Sequence, residues 1–521
     1  MPTITGAHRN QLQMISLDQL IGEDHLVRVI EAFVDYLSLE ELGFVIKGKS
    51  KEGRPAYQAE ILLKLYLYGY QNRIRSSRRL ERECTRNIDL WWLLHQQVPC
   101  YKTIANFRKD NSKALRRVFR QFNALCLDWS LFEGKTIAVD GSKFKGQNSK
   151  KNNYNKKKVE RHLNYIDKKT AEYFELLENM DAKESAEYEE IDMKIDLLNE
   201  RRKKYEELEE SLEKVSEEGE LQISTVDPDA RALPLHMGIV EVGYNIQSAV
   251  DAANKMVVDY QVTNKNDTYA LSEISISAKE ILEVEELDVL ADKGYHNGYE
   301  MERCSNNDIT TYISPKDTSV KSKEKAYRKN QFVYNAEADT YTCPEFKTLK
   351  SNGKWYKKNV GKNRKPYHVK VYKLPFHVCN NCPVRLKCAG AANLKNSKGR
   401  PIERSQYDDY IKANKDRVNQ NKDYYRQRQA IVEHPFGTIK RNWGFDHTLL
   451  KTKEKVDGEF ALIFLSYNLR RAMSTLGALA LINRLKKLFF VFLRRREIVE
   501  PVVGKLFCVC GDPWWSKRLV A

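Results

Sequence analysis

Long apolar runs are missing from this chain. The most hydrophobic stretches, near Leu476–Ile482 and Leu488–Leu493, are short and broken by Arg484, Lys486 and Lys487. A bilayer span needs roughly 20 apolar residues, so no membrane segment is expected. The opening MPTITGAHRNQLQMISL lacks a charged start followed by an apolar core, so no secretory signal is expected either. Cysteine is sparse, with 10 residues scattered over 521. That distribution argues against a disulfide framework and for a reducing, cytoplasmic setting.

What the chain has in excess is positive charge. The formal net charge is +17, and a protein this basic suits a polyanionic partner, nucleic acid first. The charge is unevenly spread. Residues 151–220 hold 14 Lys+Arg and 21 Asp+Glu, a local net of −7, so the remainder carries +24 (+17 minus −7). Within that block Tyr188, Ile191, Ile195, Leu198, Tyr205, Leu208 and Leu212 recur at steps of three, four and seven. The pattern predicts a narrow apolar seam on a long helix, or a helical hairpin folded on itself. The block reads as a charged, coiled-coil-like insertion, either a dimer interface, a brace for DNA or a solvated spacer.

Residues 1–130 read as an all-α region. Gly53–Tyr57 is a turn before an apolar helix, Ile61–Tyr70, and Ser76 or Ser77 can cap the next helix, with Glu81 near its first turn. Arg75, Arg78, Arg79 and Arg82 make this segment cationic. Short helices with tight turns and a basic face suit a helix-turn-helix-like DNA reader, an ordinary bundle with a solvated basic face being the alternative.

Residues 131–150 and 221–315 read as α/β. Lys135–Val139 is a short β-branched run that ends in Asp140-Gly141, expected to be a strand followed by a turn. Gly243–Val250 and Met256–Val262 form a hairpin, Asp267 is expected to cap a helix over Thr268–Leu282, and Leu287–Ala291 is a strand ending in Asp292-Lys-Gly-Tyr-His296. Ile309–Ile313 reads as one more strand. A third acid, Glu433, sits in 401–475 on a helix that also carries Tyr425, Arg428, Lys440 and Arg441. Glu433, Gly437 and Lys440 share a face, while Pro435 predicts a kink or a new start. Residues 476–521 read as a helical C-terminal tail.

Residues 316–400 form a second, Cys-rich insertion. Cys343, the Cys379-Asn-Asn-Cys382 pair and Cys388 resemble a zinc ribbon of four thiolates, with His368 or His377 able to replace one; four unligated thiols are the alternative. Cys508 and Cys510 are too sparse a pair to assign.

Taken together, these pieces resemble the DDE transposases, closest to the IS1182 branch of the IS4-like bacterial insertion-sequence transposases. The residues that carry the resemblance are Val139-Asp140-Gly-Ser, Ala291-Asp292-Lys-Gly-Tyr295, and Tyr425-x2-Arg428-x4-Glu433-x6-Lys440. Gly53–Tyr57, Tyr101-Lys-Thr-Ile104, the Cys343-Pro block, the CxxC and Tyr-Asn468-Leu-Arg add to it. One departure stands out: the family pattern has three residues between Arg and Glu, whereas four follow Arg428. The resemblance implies an RNase H-like core with a mixed sheet. It implies Asp140, Asp292 and Glu433 as catalytic ligands of two Mg²⁺ (or Mn²⁺) ions. Lys440 and Arg428 would hold phosphates, and Tyr425 would meet the DNA end. The implied partners are double-stranded transposon ends and target DNA, handled by a homodimer associated with the bacterial nucleoid, with no membrane and no small-molecule substrate. A nuclease without strand transfer, or an idle transposase-derived DNA-binding protein, are the alternatives.

Overall fold

The computed structural model describes residue 10 and residues 14–45, 55–178, 186–217, 222–234, 240–316, 324–358, 365–388 and 399–499. The expected Gly53 turn lies partly, and the Cys508/Cys510 pair wholly, outside the described residues.

Six helices open the chain: α1 (Leu26–Tyr36), α2 (Ala59–Gln71), α3 (Ser77–Cys84), α4 (Ile88–Leu93), α5 (Tyr101–Asp110) and α6 (Ser112–Asp128). Ser76 is the N-cap of α3, but its side chain makes no cap bond. A mixed sheet follows, built from β1 (Thr136–Lys145), β2 (Arg231–Pro234), β3 (Val240–Asp251), β4 (Val257–Thr263), β5 (Leu287–Ala291) and β6 (Ile309–Ile313). The order is β2-β3-β1-β5-β6, with β4 also paired to β3. β3 lies antiparallel to β1, β2 and β4, whereas β1, β5 and β6 run parallel. Between β1 and β2, α7 (Lys156–Glu178) and α8 (Ala186–Glu217) leave the sheet. α9 (Leu271–Leu282) joins β4 to β5, and α10 (Gly298–Ser305) joins β5 to β6.

The acidic block is thus a hairpin. Ile195, Leu198, Tyr205, Leu208 and Leu212 are buried, the last four in a small core with Val159 and Ile166 of α7. The seam is consumed inside the hairpin, because two amphipathic helices of one chain meet at high effective concentration. It does not offer the free dimer interface that the periodicity allowed.

After β6 a second sheet forms, from β7 (Val333–Asn335), β8 (Thr340–Thr342), β9 (Thr348–Ser351), β10 (Tyr356–Lys358), β11 (Tyr367–Lys373) and β12 (Ile402–Ser405). Its order is β10-β11-β9-β8-β7, with β12 on β11. Its core is small: Phe332, Tyr341, Leu349, Tyr372 and Ile402. The chain then returns to the main sheet through α11 (Asp408–Gln420) and α12 (Lys422–Phe436), and ends in α13 (Lys453–Leu476) and α14 (Ala478–Val499).

The opening helices do not form a separate core. One continuous cluster runs from Ile21 through the main sheet to Leu485. α6 and α13 cross closely at Gly458, where a Cβ would stand 2.5 Å from the Ser112 Cα. Asn123 of α6 donates to the Val257 and Val258 carbonyls at 3.0 and 2.8 Å, and Asn468 of α13 donates to Asn123 at 2.8 Å. Gly458→Ala should therefore force two backbones apart and lower stability by about 1–3 kcal/mol, the usual cost of overpacking a core. Urea denaturation checks this, and an unchanged midpoint would show that the crossing is not tight.

Candidate active site

β1 does not stop at Asp140. The strand runs through Asp140 and Gly141 to Lys145, with Asp140 opposite Ser248 and Gly141 opposite Gln247 of β3. The Asp-Gly step is extended, not the expected turn, because β3 continues to supply ladder partners. On its other side β1 pairs with β5 only as far as Val139↔Ala291. Asp140 and Asp292 are the next residues on two adjacent parallel strands, which lie about 4.8 Å apart. Each carboxylate takes a nearby amide: Gly141 N–H donates to Asp140 Oδ1 at 2.9 Å, and Gly294 N–H to Asp292 Oδ1 at 2.6 Å.

Burial pushes the Asp140 carboxyl up to about 6, while the Gly141 amide and Arg428 pull it down and Asp292 and Asp267 push it up. Asp267 belongs to this neighbourhood, which the sequence reading missed by assigning it as a helix cap. Its Oδ1 accepts the Asn245 and Gln247 amides, each at 2.8 Å, and a 3₁₀ turn, Asp267–Tyr269, precedes α9. The signal in sequence was only a further acid, Asp267, between the hairpin and α9.

α12 lies along β1 and runs the same way. Tyr424 OH meets Thr136 Oγ1 and Asp288 Oδ2, both at 2.7 Å. Tyr425 OH donates to the Ala291 carbonyl at 3.2 Å, beside Asp292. Farther along, Lys440 Nζ donates to the Lys143 carbonyl at 2.5 Å and stands 4.2 Å from the Phe144 ring centroid. Burial lowers the Lys440 ammonium to about 8, opposed by Asp446 and Asp140. Glu433 lies between these anchors. The charges that act on Asp140 are those of Arg428, Asp292 and Asp267, and no contact joins the Glu433 carboxylate to Asp140 or Asp292 among the described residues. The Glu433 side chain is exposed, and the Gln429 amide donates to its Oε1 at 2.8 Å. Pro435 does not start a new helix. It sits inside α12, and the next turn, Gly437–Asn442, loosens to a π-helix that carries Lys440 and Arg441. Such widened turns accommodate a broken backbone ladder, here at a residue with no N–H.

His434 Nδ1 bonds Tyr467 OH at 2.7 Å, which donates to the Lys255 carbonyl at 2.6 Å. His296 Nε2 is buried without a hydrogen-bond partner.

The four N-terminal arginines divide. Arg78, Arg79 and Arg82 are exposed on α3, and Arg78 stacks over Tyr101 at 5.1 Å. Arg75 is only 7% exposed. It pairs with the fully buried Glu459 at 3.3 Å and donates to the His447 carbonyl at 2.7 Å. A buried carboxylate needs such a partner, so Arg75 is withdrawn from the surface expected to meet DNA.

In the second insertion, the Cys379 thiol is pushed up first by burial and then by Cys388, Cys382 and Cys343. The four cysteines thus share one neighbourhood, with Cys388 Sγ 3.7 Å from Arg400 Nη1. Among the described residues, however, no group of three or more His, Cys, Asp or Glu stands together closely enough to hold a metal ion. That covers both the acids and the thiols. Among them, too, no helix is long and apolar enough to cross a membrane.

Two family models match parts of the chain. Residues 15–110 match a transposase domain (DUF772) and residues 240–469 match a transposase DDE domain. The two matches indicate the DDE transposase family. The DDE-domain match contains Asp267, Asp292, Glu433 and Lys440, whereas Asp140 precedes it. α3 with its exposed arginines lies in the first matched domain. No curated protein matches. A solved structure, the cryo-EM structure of piggyBac transposase synaptic complex with hairpin DNA, aligns over 95% of this chain and 88% of its own at 10% identity, with a TM-score of 0.32. That likeness is too low to carry an argument.

The Asp140 shift has a testable sign. The folded chain holds this proton more tightly than the unfolded chain, whose value is the ordinary 3.8, so folding stability falls as pH rises from about 4 past 6. Asp140→Asn should raise stability by about 1–3 kcal/mol at pH 7.5 in metal-free buffer and change little at pH 4. Thermal melts at the two pH values check this; an equal effect at both would remove the electrostatic strain.

Proposed function

We propose that this DDE transposase binds the terminal inverted repeats of an insertion sequence, cuts DNA there and joins the freed 3′-ends to a target. The observation that carries the reading is the register that leaves Asp140 and Asp292 side by side at the point where β1 and β5 part. The strand order supports an RNase H-like core: β3 is antiparallel to β1, β2 and β4, and β1 is continued by two parallel neighbours.

Asp140 and Asp292 supply the oxygen donors that a hard divalent cation takes. Two adjacent carboxylates, one held above its ordinary range by burial and like charge, favour a cation over bare ionisation. Asp140 and Asp292 would hold Mg²⁺ or Mn²⁺, with Glu433 on α12 as the third acid. Such ions activate a water or 3′-hydroxyl and stabilise the leaving 3′-oxygen. The chain's own residues do the rest. Arg428, whose charge reaches Asp140, and Lys440 hold the phosphate. Tyr425 orients the DNA end beside Asp292. Arg441 on the π-turn and Arg78, Arg79 and Arg82 on α3 extend the cationic track along the duplex, with α3 and α4 as the helix-turn-helix-like reader. The chain acts as a homodimer, since two ends must be handled together, and the hairpin seam does not supply that interface.

Cleavage of a labelled duplex carrying the element's end, with Mg²⁺, tests the reading. Wild type should cut at the end and transfer the 3′-OH into a second duplex, while Asp292→Ala binds but does not cut. Binding without cutting by wild type across Mg²⁺ and Mn²⁺ would reject it; cutting without transfer would make it a nuclease.

The Cys343, Cys379, Cys382 and Cys388 neighbourhood supports a structural zinc in a region with little core of its own. Purified protein should contain about one zinc per chain, and Cys382→Ser should lose it and melt earlier. A zinc-free preparation with unchanged melting in Cys382→Ser would leave four plain thiols.

A further inference from the structure

We infer that Asp267 is a positioning residue that sets the separation of Asp140 and Asp292. The inference rests on the reading that those two aspartates form the cation site.

Three observations carry it. First, Asp267 ties the elements that bear both acids. Its Oδ1 accepts from Asn245 and Gln247 of β3, the strand paired to β1 at Gly141 and Lys143. Gln247 in turn accepts, through Oε1, the hydroxyl of the fully buried Tyr295, three residues beyond Asp292. One carboxylate is thus tied to β3, the ladder partner of the Asp140 strand, and through the Gln247 amide to the Asp292 loop.

Second, the glycine after Asp140 makes room for it, and the glycine two residues after Asp292 lies within contact distance of it. A Cβ at Gly141 would stand 2.5 Å from Asp267 Oδ1 and 2.4 Å from Gln247 Nε2. A Cβ at Gly294 would stand 3.5 Å from Asp267 Oδ2 and 2.7 Å from Asp292 Oδ1. Neither glycine has a positive φ. Close approach of the Asp267 carboxylate therefore explains Gly141, whereas Gly294 lies in the 3₁₀ turn that Asp292 caps.

Third, Asn245 Oδ1 is fully buried, has no hydrogen-bond partner, and would lie 3.0 Å from the same Gly141 Cβ. Asn245 accepts this cost while its amide nitrogen goes to Asp267 and the Lys265 carbonyl. The orphaned oxygen marks the orientation as imposed by Asp267.

The test measures Mn²⁺ binding to the full chain without DNA, by calorimetry, beside thermal melts. The relevant binding is that lost in Asp292→Ala. Asp267→Ala should weaken it about 10–100-fold, the usual effect of removing a group that orients metal ligands. Asp267→Asn keeps an oxygen that accepts both amides and should restore most of the affinity. If Asp267→Ala fails to fold, Gln247→Leu breaks the relay to Tyr295 and should weaken binding in the same direction. Wild-type affinity in Asp267→Ala or in Gln247→Leu, or no Mn²⁺ binding by wild type, overturns the inference. So does equal weakening in Asp267→Asn and Asp267→Ala, which would make the charge itself the agent. Because no DNA is present, these outcomes stand apart from the cleavage assay that judges the transposase reading.

Discussion

Two carboxylates forced onto neighbouring strands are the constraint around which this molecule is arranged. The parallel ladder of β1 and β5 ends one residue before both Asp140 and Asp292. Like charges so placed repel, and burial makes the repulsion dearer because the interior screens it poorly. Nothing in the local strand chemistry favours this. It persists because β1 and β5 are buried, apolar and locked by register: a one-residue slip would turn every side chain to the other face. The strain is the sort that functional sites carry, with the rest of the core supplying stability.

The cations around the site answer that charge in different ways. Arg428 lowers the Asp140 proton affinity through space. Lys440 is drawn in from the π-turn, bonded to a carbonyl of the same strand and partly stripped of water. Arg75, by contrast, is spent on Glu459, which also accepts the Leu449 and Leu450 amides and so holds the loop after Phe445. A basic composition is thus divided between surface charge, which is free to meet a polyanion, and interior charge, which is structural.

The insertions leave this arrangement intact because each is closed on itself. The acidic hairpin has its own small core, and the Cys-rich sheet has another. The opening helices differ: they share the main core, bridged by Asn123 and Asn468 to β4. The helices of the first matched domain therefore pack into the same core as the main sheet.

Much of this was legible in order along the chain. The β-branched runs at Leu287–Ala291 and Ile309–Ile313 are strands with the bounds their periodicity implied, since alternation and flanking turns are local properties. Asp140 and Asp292 stand out in the sequence because few carboxylates follow apolar strands. What sequence alone could not decide was pairing. Asp140-Gly141 reads locally as a turn, and only the long β3 ladder keeps it extended. Asp267 reads locally as a cap, and only the meeting of β3 with the Asp292 loop turns its carboxylate inward. Arg75 and Arg78 are indistinguishable in sequence, yet one is buried and the other exposed, because burial depends on which distant segment arrives. Local propensity spoke for the elements; contacts between residues far apart in the chain decided which charges face each other.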